Sequence, residues 1–181
     1  MSRTALIGAI AALIVVGGPS AIGADDKAEI ARDSQAALTS LYASVPAAKA
    51  LGAKATAILV FPKITKAGLG IGGQHGDGAL MKGGSPVAYY STSGGSVGLQ
   101  AGVQTYGYAM FFMNEGALSQ LGNAEGFEVG VGPTVVVMDE GKAKSTTTTS
   151  AKDDIYAFIF SQKGLMAGLG IQGNKITKID K

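Results

Sequence analysis

The chain has 181 residues, a formal net charge of +2, 28 glycines and no cysteine or tryptophan. This length predicts one domain, and the absence of cysteine excludes disulfides and a lipid anchor on a cysteine. The near-zero net charge argues against nucleic acid as a partner, because nucleic-acid-binding domains present a strongly basic surface.

The N-terminus has the layout of a secretory signal. Arg3 precedes an apolar stretch at 5–18, and small residues follow up to Ala24. The apolar stretch is shorter than the roughly 20 residues that a transmembrane helix requires, so an uncleaved anchor is the less favoured alternative. We predict that residues 1–24 are a cleaved signal peptide and that residues 25–181 form one periplasmic or secreted domain.

Two helices are predicted next. Residues 26–42 show helical periodicity, with one face formed by Ile30, Ser34, Leu38, Leu41 and Tyr42. Ser44 is suited to cap a second, shorter helix that has Pro46 in its first turn and ends near Gly52.

The rest of the chain is predicted to be mostly strands. The apolar run 57–61 is typical of a buried strand, and Pro62 is expected to end it. Further strands are predicted at 87–91, 106–113, 134–138 and 155–161, and residues 146–150 are expected to be extended. A short helix with Asn114 as its N-cap is predicted to run to Leu121.

Several strand-like segments alternate glycine with a large aliphatic residue. The structural glycines are Gly68, Gly70, Gly72, Gly98, Gly102, Gly168 and Gly170, and the same alternation occurs at 129–132. Since side chains alternate between the two faces of a strand, one face of each segment is nearly bare. Such a face indicates a sharp bend or a very close neighbour. We therefore predict an α+β fold: a mostly antiparallel, strongly curved or barrel-like sheet with the N-terminal helices on its glycine face.

No residue pattern indicates catalysis. The only histidine, His75, has Asp77 nearby, but a zinc site needs three or four ligands and the chain has no second histidine. Gly76 and Gly78 favour a hairpin turn at this position. The glycine-rich run 68–73 is not followed by the helix that a dinucleotide-binding loop requires. We predict no enzyme activity, no metal and no cofactor.

Three lysines are candidates for contact with lipid headgroups. Lys63 and Lys66 flank the turn that is predicted after the first strand, and Lys163 lies beside a glycine segment. A lysine close to an anionic membrane contributes about 1 kcal/mol to binding. The alternative is that these are three ordinary solvated lysines.

Several motifs together resemble the SYLF domain family over about residues 28–176. They are the segments 57–63, 66–73, 76–78, 95–102, 132–133 and 155–168. The resemblance implies a lipid-binding module, since eukaryotic members bind phosphoinositides and some bind actin.

This chain departs from the family pattern at its N-terminus. Eukaryotic members contact lipid and actin through a basic segment before the domain, whereas here a signal peptide precedes the acidic Asp25 and Asp26. Actin is therefore not an expected partner of the exported chain. The expected function is non-catalytic binding of anionic phospholipids or other envelope lipids; the alternative is a structural or partner-binding envelope protein without a lipid ligand.

Overall fold

The computed structural model describes residues 24–122, 127–128, 135–139, 153–164 and 174–179. The predicted signal peptide, the glycine segments 129–132 and 168–171, and the extended segment 146–150 lie outside these ranges.

Three helices and six strands occur in the described ranges. They are α1 (Ala24–Ser44), α2 (Pro46–Gly52), β1 (Ala57–Lys82), β2 (Ser85–Phe112), α3 (Glu115–Gln120), β3 (Phe127–Glu128), β4 (Val135–Asp139), β5 (Ile155–Gly164) and β6 (Lys175–Lys178). The three predicted helices are confirmed, and each predicted strand within the described ranges falls in β1, β2, β4 or β5.

Helix α1 packs on the sheet through the predicted face. Ser34, Leu38 and Leu41 are buried, and the Ser34 hydroxyl donates a hydrogen bond of 3.1 Å to the carbonyl oxygen of Val60. One detail of the sequence prediction is wrong: Ser44 does not cap α2. It is the last residue of α1, and its hydroxyl donates back to carbonyl oxygens of that helix.

Strands β1 and β2 form one long antiparallel hairpin. Its ladder runs from Ala57 opposite Phe112 to Lys82 opposite Ser85. Gly83 and Gly84 make the turn with φ of +59° and +82°, values that suit the primed turns of two-residue hairpins. The predicted turn around His75 is therefore wrong, since those residues lie inside β1.

The first strand also continues past Pro62. The ladder shifts register between Phe61 and Ile64, so Pro62 lies in a bulge, where its missing N–H does not interrupt pairing. The apolar run 57–61 is thus the beginning of a strand of 26 residues.

The second strand is the centre of the sheet. It pairs with β1 along one edge, and along the other edge with β6 at 90–93 and with β5 at 104–112. Outside these lie β3, which is antiparallel to β6, and β4, which is parallel to β5. The sheet is mostly antiparallel and curls into a half-barrel, with the N-terminal helices packed on it. The predicted fold class is confirmed.

The hairpin folds back on itself at the glycines. A straight strand of 26 residues would span about 85 Å, roughly twice the diameter of a compact domain of this size. At the bend, a Cβ on Gly68 would lie 2.6 Å from the Gly72 Cα. Beyond it, a Cβ on Gly76 would lie 2.7 Å from the carbonyl oxygen of Lys63. The close neighbour of these glycines is the strand's own backbone, whereas we had predicted a helix.

Two clusters of buried apolar side chains pack on the two faces of the sheet. The inner core lies between the two arms of the folded hairpin and includes Leu59, Phe61 and Ile64. The helix-facing core joins α1 and α2 to the opposite face of the sheet, where Phe111 and Phe158 lie. The helices thus pack on a face of large apolar side chains.

Candidate functional site

The three predicted lysines lie in two different environments. Lys63 and Lys163 are exposed. Lys66 is only 4% exposed, and in the ladder it lies opposite Gln104. The structure therefore places two of the lysines on the surface and the third in the interior, so the three do not form one surface patch.

Lys63 and Lys163 share the outer face of the sheet. Thr65 pairs with Thr105, and Thr105 pairs with Lys163 on its other side. Since neighbouring strands lie about 4.8 Å apart, the backbone of Lys163 is roughly 10 Å from β1. The threonines between the two lysines are neutral.

Large aliphatic side chains are exposed on the same face. Leu69 is 84% exposed, Ile71 74% and Val103 60%. Leu69 and Ile71 lie at the bend, and Val103 is opposite Ala67 on the adjacent strand. We call Lys63, Leu69, Ile71, Val103 and Lys163 the bend surface.

The helices leave the bend surface uncovered. They pack against Ile58, Val60, Ala109 and Phe111, which lie before the Pro62 bulge on β1 and after Gly107 on β2. From the sequence, Leu69 and Ile71 are expected on the face opposite the glycines, and no binding role is predicted for them. The alternation itself contained the signal, because glycines at 68 and 72 that face a close neighbour leave Leu69 and Ile71 on the opposite side.

A polar layer continues the inner core beyond its apolar part. Its buried members are Lys66, Gln74, Thr92, Gln104, Tyr106, Tyr108 and Asn174. The Tyr106 hydroxyl donates a hydrogen bond of 3.1 Å to Gln74 Oε1, and the Gln74 amide donates to Asn174 Oδ1. These bonds tie β1, β2 and the residue preceding β6 together in the interior.

Two buried polar atoms of this layer have no hydrogen-bond partner within the described part of the chain. They are Gln104 Oε1 and the Tyr108 hydroxyl oxygen. Burial raises the pKa of Tyr106 to about 12. Burial and, to a smaller extent, the neighbouring Tyr106 also raise the pKa of Tyr108.

We expect Tyr108→Phe to increase the free energy of unfolding by about 1 kcal/mol at neutral pH. An unsatisfied buried hydroxyl costs roughly 1–3 kcal/mol, and phenylalanine keeps the packing of the ring. Urea unfolding followed by circular dichroism measures the change. Tyr106→Phe is the matched control and should destabilise, because it removes the hydrogen bond to Gln74.

The Tyr108→Phe variant and the unmodified chain should also differ in how their free energies of unfolding change at high pH. Both tyrosines keep their protons in the folded chain when the unfolded chain loses them near pH 10. The contribution of these tyrosines to the free energy of unfolding is therefore fully present below pH 10, and it is lost as the pH rises from 10 towards about 12. In that window, the free energy of unfolding of Tyr108→Phe should fall by about 1.4 kcal/mol less per pH unit than that of the unmodified chain. Equal slopes would contradict the burial of the Tyr108 hydroxyl.

The His75 side chain is exposed on β1, and its Nε2 lies 3.6 Å from Asp77 Oδ1. Within the described ranges, no group of three or more histidine, cysteine, aspartate or glutamate side chains is placed to hold a metal ion. None of the helices described there combines the length and apolar character needed to cross a membrane.

Comparison with known families supports the resemblance found in the sequence. Residues 93–181 match the family described as Ysc84, Las17-binding protein actin regulator. No curated protein matches the chain. The match begins within β2 and continues to the C-terminus, and β1 pairs with β2 from Ser85 to Phe112. The match confirms the resemblance to the SYLF (Ysc84) domain family over residues 93–181.

Proposed function

We propose that this chain is a non-catalytic lipid-binding domain that associates with anionic membrane surfaces after export to the periplasm or the exterior. The observation that supports this is the exposure of Lys63 and Lys163 on one face of the sheet, with only neutral Thr65 and Thr105 between them. Each lysine near an anionic surface contributes about 1 kcal/mol. Lys66 has no part in this proposal, because its side chain is buried.

The family description names Las17 binding and actin regulation. We do not extend either to this chain, because an exported domain is separated from cytosolic actin. The proposal retains the lipid affinity that the family resemblance implies, and it assigns the contact to the sheet, where Lys63 and Lys163 are exposed.

Vesicle co-sedimentation tests the proposal. The purified chain should sediment with phosphatidylglycerol vesicles and much less with phosphatidylcholine vesicles. The double variant Lys63→Glu, Lys163→Glu should bind the anionic vesicles at least about 30-fold more weakly, because merely neutralising two lysines removes about 2 kcal/mol. Lys54→Glu with Lys178→Glu is the matched control: both lysines are exposed, and the change in net charge is identical.

The alternative is a structural or partner-binding envelope protein without a lipid ligand. It predicts equal recovery with anionic and neutral vesicles, and no difference between the two double variants. Either result would contradict the lipid-binding proposal, provided that circular dichroism shows both variants to be folded.

A further inference from the structure

Three aliphatic side chains of the bend surface are in water beside its two lysines. Leu69 and Ile71 are on the outside of the bend, and Val103 is on the adjacent strand. Single exposed aliphatic residues are common on soluble proteins, whereas clusters of them mark interaction surfaces. This cluster belongs to the same face as the proposed headgroup contacts.

We infer that the bend inserts Leu69 and Ile71 into the interfacial layer of an anionic membrane, while Lys63 and Lys163 remain at the level of the headgroups. This inference rests on the proposed function and adds the mode of binding and the residues that enter the lipid. It commits to a lipid surface as the partner that covers the cluster.

The charge of the bend surface favours lipid over a second copy of the chain. A twofold contact between two copies would bring the same patch of each together, so lysines would approach lysines. The described residues between the lysines and the aliphatic cluster, Thr65, Ala67 and Thr105, provide no carboxylate to offset that repulsion. An anionic lipid surface offers the opposite charge and an apolar layer directly beneath it.

The backbone hydrogen bonding near the bend is compatible with a position in the interfacial layer of a membrane. Leu69 is opposite Ala101 and Ile71 is opposite Val97 in the β1–β2 ladder, with a register shift between the two pairs, so both aliphatic residues are themselves paired and the ladder is irregular only between them. Unpaired backbone groups are the main cost of placing irregular structure near hydrocarbon. The lysine side chains have long apolar stems that keep the ammonium groups at the headgroups while the aliphatic residues lie deeper.

Introduced tryptophan reports insertion directly, because the chain contains no tryptophan. The tryptophan fluorescence of Leu69→Trp should shift to shorter wavelength when mixed vesicles of phosphatidylglycerol and phosphatidylethanolamine are added. Lipids with brominated acyl chains should quench this fluorescence. Val87→Trp is the matched control: Val87 is 57% exposed on the same hairpin, near the Gly83–Gly84 turn, and should show neither effect. Leu69→Asp with Ile71→Asp should weaken vesicle binding at least tenfold.

The outcomes separate insertion from lipid binding as such. If Leu69→Trp sediments with vesicles but its tryptophan fluorescence does not shift, insertion is overturned and the proposed function stands. Absence of co-sedimentation for the unmodified chain would remove the proposed function itself. A shift in Leu69→Trp that appears without vesicles and grows with protein concentration would show that a second copy covers the surface, and would also overturn insertion.

Discussion

Gly76→Ala is expected to lower the free energy of unfolding by about 3 kcal/mol, at the upper end of the usual cost of overpacking. A methyl group at this position would lie 2.7 Å from the carbonyl oxygen of Lys63 and 3.0 Å from the Ile64 Cα. Both neighbours are backbone atoms of the other arm of β1. Relief therefore requires the two arms of the folded hairpin to separate, which disturbs the inner core at Phe61 and Ile64.

Urea unfolding followed by circular dichroism measures this effect, with Gly73→Ala as the matched control. At Gly73 the nearest atom to the added methyl is the Gly94 carbonyl oxygen at 3.8 Å, an ordinary contact. Alanine there should be neutral or stabilise by up to about 1 kcal/mol, because it restricts the unfolded chain. Similar effects at the two positions would show that the arms of β1 do not approach each other as closely as described.

Phe111→Ala is expected to destabilise the chain by about 4 kcal/mol, a typical cost for removing a fully buried aromatic ring. Phe111 is completely buried. Its ring meets Phe158 of β5 edge to face at 5.2 Å between centroids, and Tyr42 of α1 at 6.4 Å. The ring therefore connects a helix with two strands of the sheet.

The same variant tests whether the described helices and sheet unfold as one unit. We expect far-ultraviolet circular dichroism and tyrosine fluorescence to report a single transition that moves to lower urea concentration. Val87→Ala, at an exposed position of the same strand, should change stability by no more than about 0.5 kcal/mol. Separate transitions for the two probes would contradict the prediction of one domain.

The sequence predicted the elements of the fold better than their connections. The spacing of Ser34, Leu38 and Leu41 placed α1 correctly, because the buried face of a helix repeats with its own period. Asn114 marked the start of α3, and its side chain accepts a hydrogen bond from the Ala117 N–H. These features are local, so a short stretch of sequence contains all the information needed.

The hairpin was harder because its turn depends on partners far along the chain. Gly76 and Gly78 suggested a turn, yet both are in extended strand, and the close approach of Lys63 and Val60 accounts for them. The burial of Lys66 was missed for a related reason. Its environment comes from Gln104 on β2 and from the folding of the hairpin, neither of which is visible in the residues around it.

The central position of β2 has a consequence for cleavage of the chain. The family match begins at Ser93, but a fragment starting there would lose the partner of β2 along the edge that β1 occupies. That edge includes the apolar stretch from Tyr106 to Phe112, and an unpaired apolar edge can recruit strands from other molecules. Proteolysis at this boundary is therefore expected to release an aggregation-prone fragment, so the intact pairing of β1 with β2 protects the protein against self-association.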